Sequence, residues 1–158
     1  MTRFDPSAEV RDWAQPPAPK RGDKGPRVKL LQELLVLTGG FSLGIDGDLG
    51  PATERAWSLN PSVRPGTLAR GFLQAHACGG SIVDIAQAHR LAGAREVGGP
   101  NRGPWVRSYC RGNDGTAWRW CAGFVSTVVA QAGALRPWWW YTTSCDHLAE
   151  NARKAGRL

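Results

Sequence analysis

The chain has 158 residues, 42% hydrophobic and 21% charged, which gives room for one domain or two small ones and excludes a disordered protein. A net charge of +7 and a pI near 9.8 point to an anionic partner (nucleic acid, membrane headgroups or cell-wall polymer) without choosing among them. No run approaches the roughly 20 apolar residues of a membrane helix, so no membrane insertion is expected. The amino terminus has no apolar segment of the secretory type.

Residues 1–21 include the Pro-rich stretch QPPAPKRG and read as a flexible tail. Residues 28–37, VKLLQELLVL, place Val28, Leu31, Leu34 and Leu35 on one helical face, with Lys29, Gln32 and Glu33 expected on the other. Gly39 and Gly40 stop that helix. Asp46-Gly47 is a turn signal, and Pro51 after Gly50 suits the first position of a second helix, PATERAW. A third helix is expected within RPGTLARGFLQAHA.

The run GDKGPRVKLLQELLVLTGGFSLGIDGDLGPATERAW resembles the peptidoglycan-binding domain built as a three-helix bundle. The likeness lies in a Gly-x-x-Gly-Pro-x-Val start, a Leu-Gln helix and an Asp-Gly-x-x-Gly-Pro-x-Thr turn, and it implies a domain over residues 22–72. Asp46, Gly47, Gly50 and Thr53 are the candidate peptidoglycan-binding residues, with turn and helix-start chemistry as their plainer role. A helix-turn-helix reader of DNA is the competing fold. Residues 22–70 carry six cations (Lys24, Arg27, Lys29, Arg55, Arg64, Arg70) against five acids (Asp23, Glu33, Asp46, Asp48, Glu54), a poor phosphate footprint, so no nucleic-acid partner is expected.

In residues 73–158 the excess of Arg over acids is larger. A helix capped at Ser81 should turn Ile82, Ile85, Ala86 and His89 inward, and a short helix or extended piece follows near 105–109. In TAWRWCAGFVSTVVAQAG the apolar stripe Phe124, Val125, Val128, Val129 and Ala132 starts a helix at Cys121 and ends it at Gly133. The first turn of a helix leaves unpaired N–H groups and about half a positive charge, which favours a thiolate. Cys121 is therefore a candidate nucleophile, its alternative being a small buried residue that happens to be cysteine. The spacing of Cys78, Cys110, Cys121 and Cys145 holds no CxxC pair, so no metal is expected, nor another cofactor. An even count permits two disulfides, but without an export signal the thiols are expected to stay reduced.

REVGGPNRGPWVRSY followed by WRWCAGFVSTVVAQAG is similar to the amino-terminal half of the CHAP and NlpC-like, papain-like cysteine hydrolases of bacterial cell walls. Within WCAGFV, Gly123 occupies a position expected to tolerate other residues. The resemblance implies that Cys121 attacks an amide of peptidoglycan, with its own N–H and a neighbour's as oxyanion donors. It also implies a histidine base on a strand, as Gly-His or Thr-His, and none follows Cys121 in the 37 residues to Leu158. The downstream histidine is His147, expected in the first turn of a helix capped by Ser144 with Leu148 and Ala152 inside; it is the weak candidate for the base.

The expected fold is thus mostly α: a three-helix bundle and, over residues 73–158, the helical half of an α+β papain-like module whose β-sheet half is short or absent. The sheet could come from a longer product, from a missing carboxy-terminal segment or from a second chain, or the activity could be lost. The expected function is a peptidoglycan hydrolase cutting amide bonds, made in the cytoplasm and delivered to the wall by phage lysis, a tail or a secretion system. The alternative is a non-catalytic peptidoglycan-binding or assembly protein with a truncated or degenerate hydrolase module. The run RPWWWYTTS fits either sugar stacking or packing against a missing neighbour.

Overall fold

The computed structural model describes residues 18–63, 74–136 and 141–157. Among these the fold is mostly α, and extended backbone is limited to isolated bridging residues, among them the pair Lys24 and Asp48. The helices are α1 (Pro26–Gly39), α2 (Pro51–Leu59), α3 (Ile82–Leu91), α4 (Pro104–Tyr109), α5 (Cys121–Gln131) and α6 (Cys145–Lys154). Residues 74–77 form one further helical turn. The rest of the expected third bundle helix, and Trp138, Trp139 and Trp140, lie outside the described residues.

Local chemistry accounts for most boundaries. Helices α1, α2 and α4 each begin with proline after glycine, where the missing N–H has no intrahelical partner to lose. Gly40 closes α1 with φ 64°, a left-handed conformation that glycine adopts without strain. Ser81 and Asp84 cap α3 reciprocally, and the Ser144 hydroxyl accepts from the His147 N–H to cap α6.

Two apolar clusters organise the interior. Val28, Leu31, Leu35, Leu49, Ala56 and Val63 join α1 and α2. Ala75, Trp105 and Tyr109 form the second, with Leu37, Trp120 and Phe124 packed against it. Leu37 belongs to α1, so the first helix contributes to both cores.

That double duty explains a correction. Gln32 and Glu33, expected on the solvent face of α1, are each 1% exposed. Glu33 receives the Arg107 guanidinium of α4 through two hydrogen bonds, 3.1 Å from Nη1 to Oε1 and 2.8 Å from Nη2 to Oε2. Arg107 Nη1 also reaches Asp114 Oδ2 at 2.9 Å. A buried carboxylate is tolerable only when so paired. Arg95 adds a hydrogen bond to the Leu37 carbonyl from the same side.

Other expectations are refined. Ile85 and His89 are fully buried on α3, whereas Ile82 in its first turn is 45% exposed. Val125 is exposed on α5, between half-buried Phe124 and buried Ser126. Helix α6 buries no residue, and Leu148 and Ala152 are only half-buried.

Candidate functional site

Cys121 stands at the first position of α5, exposed, with Trp120 before it. The Phe124 N–H bonds the Trp120 carbonyl at 2.8 Å, so the N–H groups of Cys121, Ala122 and Gly123 have no carbonyl one turn back to bond. Trp120 stacks on Tyr109 with centroids 5.5 Å apart and planes 13° from parallel, and Phe124 meets both rings edge-on. The Trp120 indole N–H is tied to Glu96 Oε1 at 2.7 Å. These contacts fix the wall beside the thiol.

The close fit of α5 against α4 depends on Gly123. A Cβ built there would lie 2.3 Å from the Tyr109 carbonyl oxygen. No side chain fits, so the position expected to be tolerant is the opposite. That carbonyl also accepts from the Tyr141 hydroxyl at 2.6 Å, which in turn contacts Thr127 Oγ1 at 2.9 Å.

The neighbour of Cys121 is another thiol. Cys145, the first residue of α6, places its sulfur 3.2 Å from that of Cys121. Two clamps hold the approach to α6 against α5. Ser126 Oγ donates to the Thr142 carbonyl at 2.8 Å and accepts from its N–H at 3.2 Å, both buried. Arg111 donates to the Tyr141 carbonyl and lies 4.6 Å over its ring. The Cys145 thiol is held above its ordinary value, first by its hydrogen bond to Cys121, then by burial and the Cys121 charge, while the Ala122 N–H pulls the other way. Either sulfur can donate in this contact. Behind them Cys110 is buried, its thiol pushed up to about 11 by burial first and then by the charge of Cys121. All four cysteines are free thiols.

Among the described residues, the hydrogen-bond partner of the Cys121 thiol is Cys145 and not an imidazole. His147 lies in the first turn of α6, exposed, and its backbone N–H serves the Ser144 cap. His89 is wholly buried. Gln131 Nε2 donates to the carbonyls of Ala75 and Cys78, so its Oε1 accepts from His89 Nε2 at 3.2 Å, and His89 Nδ1 accepts from the Tyr109 hydroxyl at 2.8 Å. Both ring nitrogens are satisfied, and burial holds this imidazole below its ordinary value, in its neutral form.

In the amino-terminal bundle, three of the four candidate binding residues converge on Gln32. Its Nε2 donates to Asp46 Oδ1 at 2.7 Å, to the Asp48 carbonyl at 3.0 Å and to Thr53 Oγ1 at 3.0 Å. Its Oε1 accepts from the buried Gly47 N–H at 2.7 Å. Gly47 sits at φ 78°, and the Gly25 carbonyl lies where a Cβ would press. Gly50 precedes α2 as its extended cap. The Asp-Gly-x-x-Gly-Pro-x-Thr turn and the Leu-Gln helix are therefore one hydrogen-bonded unit. The same hydrogen bond from Gln32 is the main cause that lowers the Asp46 carboxyl below its ordinary value.

An open groove of about 630 Å³ lies beside this unit, lined by Pro19, Arg21, Leu49, Glu54, Trp57 and Pro61 among others. Sequence reading had not singled out Arg21 or Trp57. The Trp57 indole N–H is anchored to the Val63 carbonyl at 2.6 Å, leaving part of the ring exposed. Among the described residues no cluster of three or more His, Cys, Asp or Glu could hold a metal, and no helix is long and apolar enough to cross a membrane. Comparison with protein-family models, with curated proteins and with solved structures finds no match for the chain.

Proposed function

We propose that the protein acts on bacterial peptidoglycan, with residues 22–72 as the wall-binding domain and Cys121 as the nucleophile that attacks an amide of the wall peptide. The observation that supports this most is the exposed thiol of Cys121 at the first position of α5, beside first-turn N–H groups that have no intrahelical partner. A thiolate there adds to the carbonyl carbon, and the oxygen that becomes charged is stabilised by those donors and the helix dipole. Expulsion of the amine leaves a thioester on Cys121, which water hydrolyses. The groove holding Trp57 and Arg21 is the proposed wall contact, an aromatic face for sugar rings beside a guanidinium that Glu54 shares at 3.6 Å.

The departing nitrogen needs a proton, and general acid–base help is typically worth about 10²–10⁴-fold. Cys121 pairs with the Cys145 thiol and not with a histidine, so in this reading the acid is a histidine supplied by a longer product or by a second chain. That same contact favours the second reading, a binding or assembly protein whose cysteine site no longer cuts. Residues 1–158 should therefore sediment with purified peptidoglycan while clearing wall suspensions scarcely at all, and Arg21→Glu should weaken sedimentation. Failure to sediment would contradict the wall-binding half of the proposal. Robust clearing that survives Cys121→Ala would contradict the catalytic half.

A further inference from the structure

We infer that Cys121 and Cys145 form a reversible oxidation site, closed to a disulfide by low-molecular-weight disulfides of the glutathione type. Both sulfurs are exposed, which admits the oxidant, and they lie 3.2 Å apart. They have only to close to the roughly 2.05 Å of a disulfide bond. The pairing is built into the fold rather than left to a mobile loop. Each cysteine is the first residue of its helix, and the buried Ser126–Thr142 clamp together with the hydrogen bonds of Tyr141 sets where α6 begins relative to α5. Cys110 also lies near Cys121 but is buried, and Cys78 donates to the carbonyl of its neighbour Gly79.

The chemistry balances without a cofactor. The Cys121 thiolate attacks one sulfur of the small disulfide, forming a mixed disulfide and releasing one small thiolate. Cys145, losing its proton, attacks the Cys121 sulfur; the intramolecular bond forms and the second small thiolate leaves. The two protons end on the two small thiols, the protein is oxidised by two electrons and the small disulfide is reduced by two. The contact with Cys121 and burial hold the Cys145 thiol above its ordinary value, which leaves Cys121 as the attacking sulfur and Cys145 as the resolving one. On the proposed reading of Cys121 as nucleophile, closure switches the site off until a reductant reopens it.

The test uses the whole chain, reduced, then treated with oxidised glutathione, quenched with N-ethylmaleimide and digested with trypsin without reduction. Arg136 precedes Pro137, so residues 120–153 stay in one peptide. That peptide is expected two hydrogens lighter and free of maleimide, while the peptides of Cys78 and Cys110 carry maleimide. Dithiothreitol should restore both labels. In Cys145→Ser, Cys121 should instead retain glutathione as the mixed disulfide. Maleimide on both Cys121 and Cys145, glutathione held by each of them, or a bridge from Cys121 to Cys110 would overturn the inference. None of these outcomes depends on whether the protein binds or cuts peptidoglycan.

Discussion

At the scale of single residues, the chemistry divides between a thiol pair at the surface and polar side chains in the interior. Cys145 is kept protonated chiefly by its hydrogen bond to Cys121. Cys121→Ala removes both that partner and its charge, so maleimide labelling of Cys145 should shift to lower pH, read by following the 120–153 peptide across a pH series. An unchanged profile would mean that the two sulfurs do not interact in solution. Gln32 poses the opposite case, a neutral side chain satisfying four groups at once. Gln32→Leu keeps the bulk but leaves the buried Gly47 N–H and the Thr53 hydroxyl short of a partner, a loss of roughly 1–3 kcal/mol. Thermal unfolding measures it, and an undiminished melting temperature would contradict the clamp. Neither role was readable along the chain. Gln32 meets partners 14 to 21 positions away, and Cys145 lies 24 positions from Cys121. One signal was present for the thiol: Cys145 follows the cap residue Ser144, so both cysteines stand at helix starts.

At the scale of elements, the readable features were those written in local backbone chemistry. Proline after glycine opens α1 and α2, serine caps α3 and α6, and Gly40 ends α1, all from signals within a turn of the boundary. Helix faces were less readable, since a face is buried by what another element brings to it. Glu33 faces inward because Arg107, 74 positions later, comes to meet it. Arg107→Met should strand that carboxylate and cost roughly 3–5 kcal/mol, while Glu33→Leu with Arg107→Met should recover part of the loss. Denaturant unfolding of Arg107→Met, Glu33→Leu and the double variant separates the cases, and additive losses would argue against the pair. The contact of α4 with α5 is equally strict. Gly123→Ala drives a methyl group toward the Tyr109 carbonyl and should destabilise by roughly 1–3 kcal/mol, a rare instance where alanine in a helix weakens a fold. Equal or greater stability of that variant would mean that α4 and α5 are not so closely packed.

At the scale of the whole molecule, α1 ties the amino-terminal helices to the second half through Glu33 and Leu37, so the Gln32 unit and the cysteine pair share one framework. His89 lies within that framework. Burial keeps its folded value below the ordinary 6.5, so the unfolded chain takes up the proton first as pH falls. Its contribution to stability is complete above about pH 6.5 and diminishes below it. Melting temperature should therefore fall on acidification through this range, and His89→Gln should lessen the slope. The helical architecture was legible because periodicity and caps are local, whereas the acid that would complete catalysis was not, because no histidine pattern near Cys121 marks it. The central claim, that Cys121 is the nucleophile, is best tested where the leaving group needs no proton. Reduced protein incubated with the p-nitrophenyl ester of an acetylated alanine should release nitrophenolate and acquire an acetylalanyl mass on Cys121, absent from Cys121→Ala. Acylation of Cys78, Cys145 or lysines with Cys121 untouched would contradict it.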